Sequence, residues 1–329
     1  MNRSNEKPTR VKASESYLSP ETLVQLKSLE LRSKKIIEGI RSGLHTSPHK
    51  GMSVEFKQHR TYSPGDDLRH LDWKVLARSD RPTVKQYEQE TTLDVEILID
   101  CSASMRYSST PIKEGWGGTP SSERTNKWTK YDHCTAIAAA VSWMVIQNSD
   151  RVGVSLFSEG VIKSIPRSSS KEQWKNVIHL LSREPAESGT DIERSCKQAL
   201  ATTTRKSLFI ILSDFLVNTE DIKSSLARFS QDKHDVVCIQ TLDDEEIHLK
   251  SKTQTLFKGM ESETNVSVDP NTIRDSYLRI LNKHNETIFR ASGKFGFDHL
   301  VLNTHESIAP PLAKLAASRT GWLKSHDAS

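Results

Sequence analysis

The sequence is poor in cysteine, in charge of one sign and in long apolar runs, and each shortage excludes something. There are four cysteines in 329 residues, Cys101, Cys134, Cys196 and Cys238. They are scattered and form no CxxC pair, which argues against a zinc knuckle and against a disulfide scaffold. Free thiols in a reducing compartment are the expectation. No stretch reaches the length of a membrane helix. The most apolar segment, about 136–146, is short and carries Ser142. The start, MNRSNEKPTR, lacks the apolar centre of a secretion signal. A soluble, cytoplasmic protein without membrane insertion is therefore expected.

The charge excess is also small, 46 basic against 42 acidic residues for a net +4. Part of it lies near the start, at Arg3, Lys7, Arg10 and Lys12, and again at Arg32, Lys34 and Lys35. No aromatics interleave with that basic stretch, so no nucleic-acid partner is expected. The twelve histidines show no HxH or HExxH spacing. A G-x-S-x-G elbow and a phosphate-binding P-loop are missing as well.

What the chain does have is VEILIDCSASM, residues 95–105. Its first half is an apolar, β-branched run that reads as a buried strand. It ends in Asp100, with Ser102 and Ser104 following at alternate positions. In open α/β sheets ligands bind at such carboxyl strand ends. Three hard oxygen donors within five residues suit a hard divalent cation.

The chain on either side supports that setting. Residues 1–19 read as a disordered tail. Residues 20–90 read as a helix opened by Ser19-Pro20-Glu21, followed by a β-rich block. In that block Arg60, Asp66, Asp67, Arg69, Asp72 and Arg78 crowd around Trp73, a pattern expected of an ion-pair network that pins the block to the sheet, with a direct partner-binding surface as the alternative. From 91 to 245 strands alternate with helices. Strands are expected at 95–99, 151–157, 208–212 and 235–241, with an additional partner strand at 161–165. Helices are expected at 130–147, 171–182, 191–203 and 221–229. This alternation implies a doubly wound, mostly parallel α/β sheet with helices on both faces. Residues 246–329 read as an α/β extension with a hairpin at 253–268, a helix opened by Asp269-Pro270, a strand at 299–302 and a helix at 309–317. The 106–128 segment reads as one long loop, with Trp116 and Trp128 as interface anchors or buried plugs.

Two downstream segments can reach the same sheet edge as Asp100. One is Gly189-Thr190-Asp191, which opens a helix. The other is Ser213-Asp214, which closes an apolar strand. Two acids and three hydroxyls could thus surround one cation. The competing reading makes Ser102, Ser104 and Asp214 simple caps of turns and helices.

DCSAS at 100–104, Thr190 in SGTDI and Asp214 in LSDF resemble the metal-ion-dependent adhesion site of von Willebrand factor A-type domains. RTYSPGDDLRHLDWKVLAR, followed by a strand and then the DCSAS strand, resembles the bacterial family called domain of unknown function 58. The resemblance implies a von Willebrand factor A-like fold behind a small β-rich N-terminal element. It also implies a metal set of Asp100, Ser102, Ser104, Thr190 and Asp214 holding Mg²⁺, Mn²⁺ or Ca²⁺. The expected function is non-enzymatic protein binding. The expected partners are a MoxR-type AAA+ ATPase, a substrate protein supplying a carboxylate, or both, in the assembly or activation of protein complexes. Many family members carry membrane helices that this sequence lacks. The alternative is a metal-dependent phosphohydrolase with Asp100 as nucleophile. Such chemistry places a second acid two residues later as proton donor, and here that position is Ser102.

Overall fold

The order of strands is set by where the apolar runs can be buried on both sides. In the computed structural model the residues described are 54–63, 71–79, 82–89, 92–112, 119–250, 255–258, 265–308 and 310–312. The expected tail, the 20–43 helix, Trp116 and most of the helix at 309–317 lie outside them. The chain divides into two units, residues 41–92 and the remainder.

In the smaller unit, β1 (Val54–Thr61) pairs antiparallel with β2 (Thr83–Gln89). Between them runs a short helix, α1 (Trp73–Ser79). Asp72 caps it, its Oδ1 accepting from the Lys74 and Val75 amides at 3.0 and 3.2 Å. Of the expected ion-pair network, Asp66, Asp67 and Arg69 lie outside the described residues. Trp73 itself is 63% exposed.

In the larger unit, β3 (Asp94–Asp100), β4 (Arg151–Phe157), β6 (Leu208–Ser213), β7 (Asp235–Leu242) and β10 (Asp298–Asn303) are parallel neighbours. β5 (Val161–Ser168) closes one edge antiparallel to β4. The order is β10-β7-β6-β3-β4-β5. The two-stranded hairpin β8 (Thr255–Lys258) and β9 (Asn265–Val268) stands apart from this sheet.

Every residue of β3 is buried. Val95, Ile97, Leu98 and Ile99 contribute roughly 1.5–3 kcal/mol each by leaving water, which offsets the cost of ending the strand in a buried acid. Leu98, Phe157, Phe209 and Ile211 pack on one face against α5 (Ile192–Ala201), α6 (Thr219–Gln231) and α8 (Pro270–Lys294). On the other face lies α3 (Lys130–Gln147), which contacts β3, β4 and β7 and packs against α4 (Lys171–Leu181). The first 13 residues of α3 are all buried, as fits a helix enclosed by sheet and neighbours.

In the segment expected as one loop, 106–128, the described residues include regular structure. A 3₁₀ turn (Ala103–Arg106) leads into it, and it holds α2 (Pro120–Thr125), opened by Thr119 with Pro120 in the first turn. Its return is fixed by Trp128 N donating to Thr110 O at 2.9 Å and Lys130 N to Tyr107 O at 3.1 Å. The Trp128 side chain is buried and donates to His133 Nδ1 at 3.3 Å. That residue is a plug of the core.

Candidate functional site

The chain leaves β3 to one side, through β4 and β5, and returns to the other side at β6. The carboxyl ends of β3 and β6 therefore flank the point where the winding reverses, the place where such sheets open a crevice. Asp100 ends β3, and Asp214 follows β6 by one residue. Thr190 arrives on the loop before α5.

Backbone hydrogen bonds lock these loops together. Ala103 N donates to Ser188 O at 2.9 Å, and Ala186 N to Cys101 O at 2.6 Å. Arg106 donates to the carbonyls of Pro185 and Ala186, tying the 3₁₀ turn to the approach to Thr190. Ser158 and Ser188 hydroxyls meet at 2.6 Å, and Asp191 N donates to Ser158 O at 2.8 Å. On the third loop, Phe215 takes a left-handed φ of 51°, a strained choice for a bulky residue. Its amide donates to Ser213 Oγ at 3.0 Å.

All five residues marked by the sequence come together. Asp100 is fully buried. Its Oδ1 accepts from Ser102 N at 3.0 Å, its Oδ2 from Ser213 Oγ at 2.6 Å, and Thr190 Oγ1 lies 3.4 Å from both oxygens. Ser102 Oγ and Ser104 Oγ are 3.2 Å apart, and Ser104 Oγ donates to Asp214 Oδ2 at 2.8 Å. Ser102 stands at the head of the 3₁₀ turn, yet its side chain makes no capping hydrogen bond. Asp214 does cap locally, Oδ1 accepting from Leu216 N at 3.2 Å.

Two charged residues that sequence reasoning missed complete the cluster. Lys130, 1% exposed, donates from Nζ to Asp214 Oδ2 at 2.8 Å and to Glu246 Oε1 at 2.7 Å. Glu246 lies on α7 (Asp244–His248), where it also closes a capping box with Asp243. Burial and the neighbouring Asp214 charge push the Asp100 carboxyl above the ordinary carboxylate range. Burial acts on Asp214 in the same direction, but Lys130 outweighs it and holds that acid low. Burial raises Glu246 despite its bond to Lys130. The two acids of the crevice thus differ. Asp214 has an ammonium, and among the described residues no basic side chain pairs with Asp100.

The donor set suits a hard cation. Ligands at about 2.0–2.1 Å around an octahedral Mg²⁺ lie about 3 Å from their neighbours, close to the Ser102–Ser104 and Ser104–Asp214 spacings. Among the described residues no three His, Cys, Asp or Glu side chains could hold a metal by themselves. Any cation here would rely mainly on hydroxyl oxygens.

Strand order and crevice define an open, doubly wound α/β protein with a buried polar site at its switch point. The chain belongs to the family described as Protein of unknown function DUF58, whose model matches residues 58–287. Its architecture is the mostly parallel six-stranded sheet with one antiparallel edge strand described above. Similar proteins include the uncharacterized proteins Rv1480 of Mycobacterium tuberculosis and Mb1516 of Mycobacterium bovis. Each is 26% identical over 316 residues, covering 93% of both chains. Among solved structures, BatB from Bacteroides thetaiotaomicron aligns at 13% identity with a TM-score of 0.44, covering 70% of this chain and 98% of that one. An aerotolerance-related membrane protein from Bacteroides fragilis aligns at 13% identity and 0.41, with 70% and 98% covered. At these scores the fold rests on the strand order alone. Among the described residues no helix is long and apolar enough to cross a membrane.

Proposed function

We propose that this chain is a non-enzymatic, cation-dependent protein-binding module. Asp100, Ser102, Ser104, Thr190 and Asp214 would hold a divalent cation, Mg²⁺ or else Mn²⁺ or Ca²⁺. The observation that carries this reading is Asp100. It is a fully buried carboxylate with no basic partner among the described residues, ringed by the hydroxyls of Ser213 and Thr190 and, through Ser102 and Ser104, linked to a second acid. An isolated buried carboxylate costs several kcal/mol, and a cation is the partner its surroundings fit. When bound, the cation would supply an electrophilic position for a carboxylate from another protein. This chain's own part is to hold the hydroxyls in place and keep the acids dry.

The partner proposed on the family resemblance is a MoxR-type AAA+ ATPase, a substrate protein supplying a carboxylate, or both, in the assembly or activation of a complex. A phosphohydrolase reading fits less well. Asp100 is fully enclosed, and the residue two positions on is Ser102, which cannot serve as the proton donor. The test is co-purification of such an ATPase with the full chain in Mg²⁺, in EDTA, and with Asp100→Ala. Capture in Mg²⁺ alone supports the reading, and capture indifferent to all three conditions sinks it. Metal-dependent phosphatase turnover lost in Asp100→Asn would favour the enzyme instead.

A further inference from the structure

A basic residue in the first turn of a helix opposes the helix dipole, and a buried lysine is expensive unless paired. Lys130 is both. It follows the Thr129 N-cap of α3, and its ammonium is 1% exposed between Asp214 and Glu246. The surroundings are built to keep it. Thr129 and Asp132 form a capping box, and Asp132 Oδ1 also accepts from Thr119 N at 2.8 Å and its Oδ2 from Ser122 Oγ at 2.6 Å. Glu246 is positioned by the Asp243 amide at 2.9 Å, while Tyr277 OH donates to Glu246 O at 2.8 Å. The Lys130 Nζ lies 2.8 Å from one carboxylate and 2.7 Å from another, a pairing with two acids that compensates the burial of an ammonium. It sits on the same Asp214 oxygen to which Ser104 donates.

We infer that Lys130 is a built-in counter-charge that weakens cation binding in the crevice until an incoming carboxylate restores the balance, with Glu246 setting how strongly it acts. This rests on the cation reading above and adds a regulatory residue to it. With Asp214 already paired, a divalent cation gains full electrostatic support only from Asp100, and the hydroxyls bring no charge. The cation then keeps excess positive charge that a partner's carboxylate neutralises. By linkage, partner and cation each raise the other's affinity by the same factor. Glu246 acts in the opposite sense, drawing part of the ammonium's charge away from Asp214.

Two substitutions have opposite expected signs. Lys130→Met removes the counter-charge and tightens Mg²⁺ binding in the absence of any partner by at least about tenfold, given the strength of charge pairs at low effective dielectric. Glu246→Gln keeps the lysine, strands no buried charge and weakens Mg²⁺ binding several-fold. The experiment is calorimetric titration of Mg²⁺ alone into the full-length wild type and both variants, with a thermal melt to establish that each is folded. Tighter binding for Lys130→Met and weaker for Glu246→Gln support the inference. Unchanged or weaker binding in a folded Lys130→Met, with wild type binding normally, overturns the inference and leaves the cation site standing. If Lys130→Met does not fold, Glu246→Gln decides, and unchanged or tighter binding there overturns it. No Mg²⁺ uptake by any folded variant overturns both the inference and the reading on which it rests.

Discussion

At the scale of single residues, the protein tolerates acids where apolar side chains would normally sit, and their titration is measurable. Glu96, in the middle of the buried β3, accepts from Ser155 Oγ at 2.9 Å. Burial drives its carboxyl from 4.5 up to about 7, against the opposing effects of Ser155 and Arg167. The folded state therefore holds a proton that the unfolded state has released between those two values. This group's contribution to stability falls as pH rises from about 4.5 to about 7, and above that the full penalty, on the order of 3 kcal/mol, is present. Glu96→Gln should raise the melting temperature clearly at pH 8 and leave it nearly unchanged near pH 4.5, as thermal melts across that range would show. Gly153 is part of the same arrangement, because a Cβ there would collide with the Glu96 carboxylate and Arg167.

The residues of the crevice were legible to different degrees for a physical reason. Asp100, Ser102 and Ser104 lie within five positions, Asp214 follows an apolar strand and Thr190 precedes a helix, and the resemblance to the adhesion-site pattern is what joins them into one set. Lys130 carries no such mark. Its burial comes from Asp214 and Glu246, 84 and 116 positions away. The one sequence hint was its place in the first turn of the most apolar helix, where a basic residue is unfavourable without a nearby acid.

At the scale of elements, the start of α3 joins the crevice to the 106–128 segment. Asp132 is buried and accepts from the amides of Thr129 and Thr119 and the hydroxyls of Thr129 and Ser122. Asp132→Ala would leave several of these donors unpaired and should cost about 3 kcal/mol or more. Thr129→Ala, which removes the cap and one of the donors to Asp132 but leaves the other three paired, should cost less, about 1 kcal/mol. Chemical denaturation of the two variants checks the ranking. The same network explains why the segment was misread as one loop. Its Ser, Thr and Gly content resembles that of a linker, but Thr119 and Ser122 are consumed in capping, and Ser109 donates to Asp243 across the fold. Strands were easier to place, because β3 and β6 are buried throughout and each carries an unbroken apolar run, Ile97–Ile99 and Leu208–Leu212, that ends close to where the strand ends. β5 was marked only as an additional partner strand, since an edge strand with exposed positions carries little hydrophobic pattern.

At the scale of the whole molecule, three loops from distant parts of the sequence meet because the sheet reverses its winding between β3 and β6. A cation bound there would tie the three loops together and favour the folded state by mass action, by about 2.7 kcal/mol at a hundredfold excess over the dissociation constant. The wild-type melting temperature should therefore rise by several degrees in Mg²⁺ relative to EDTA, and Asp100→Asn should abolish that shift.

The most direct measurement is the titration of Mg²⁺ into the full-length chain beside Asp100→Ala and Thr190→Ala. The account predicts a single saturable site in the wild type that is lost with Asp100→Ala and markedly weakened with Thr190→Ala. Binding of equal strength in all three, or none at millimolar Mg²⁺ in either the folded wild type or folded Lys130→Met, would contradict it.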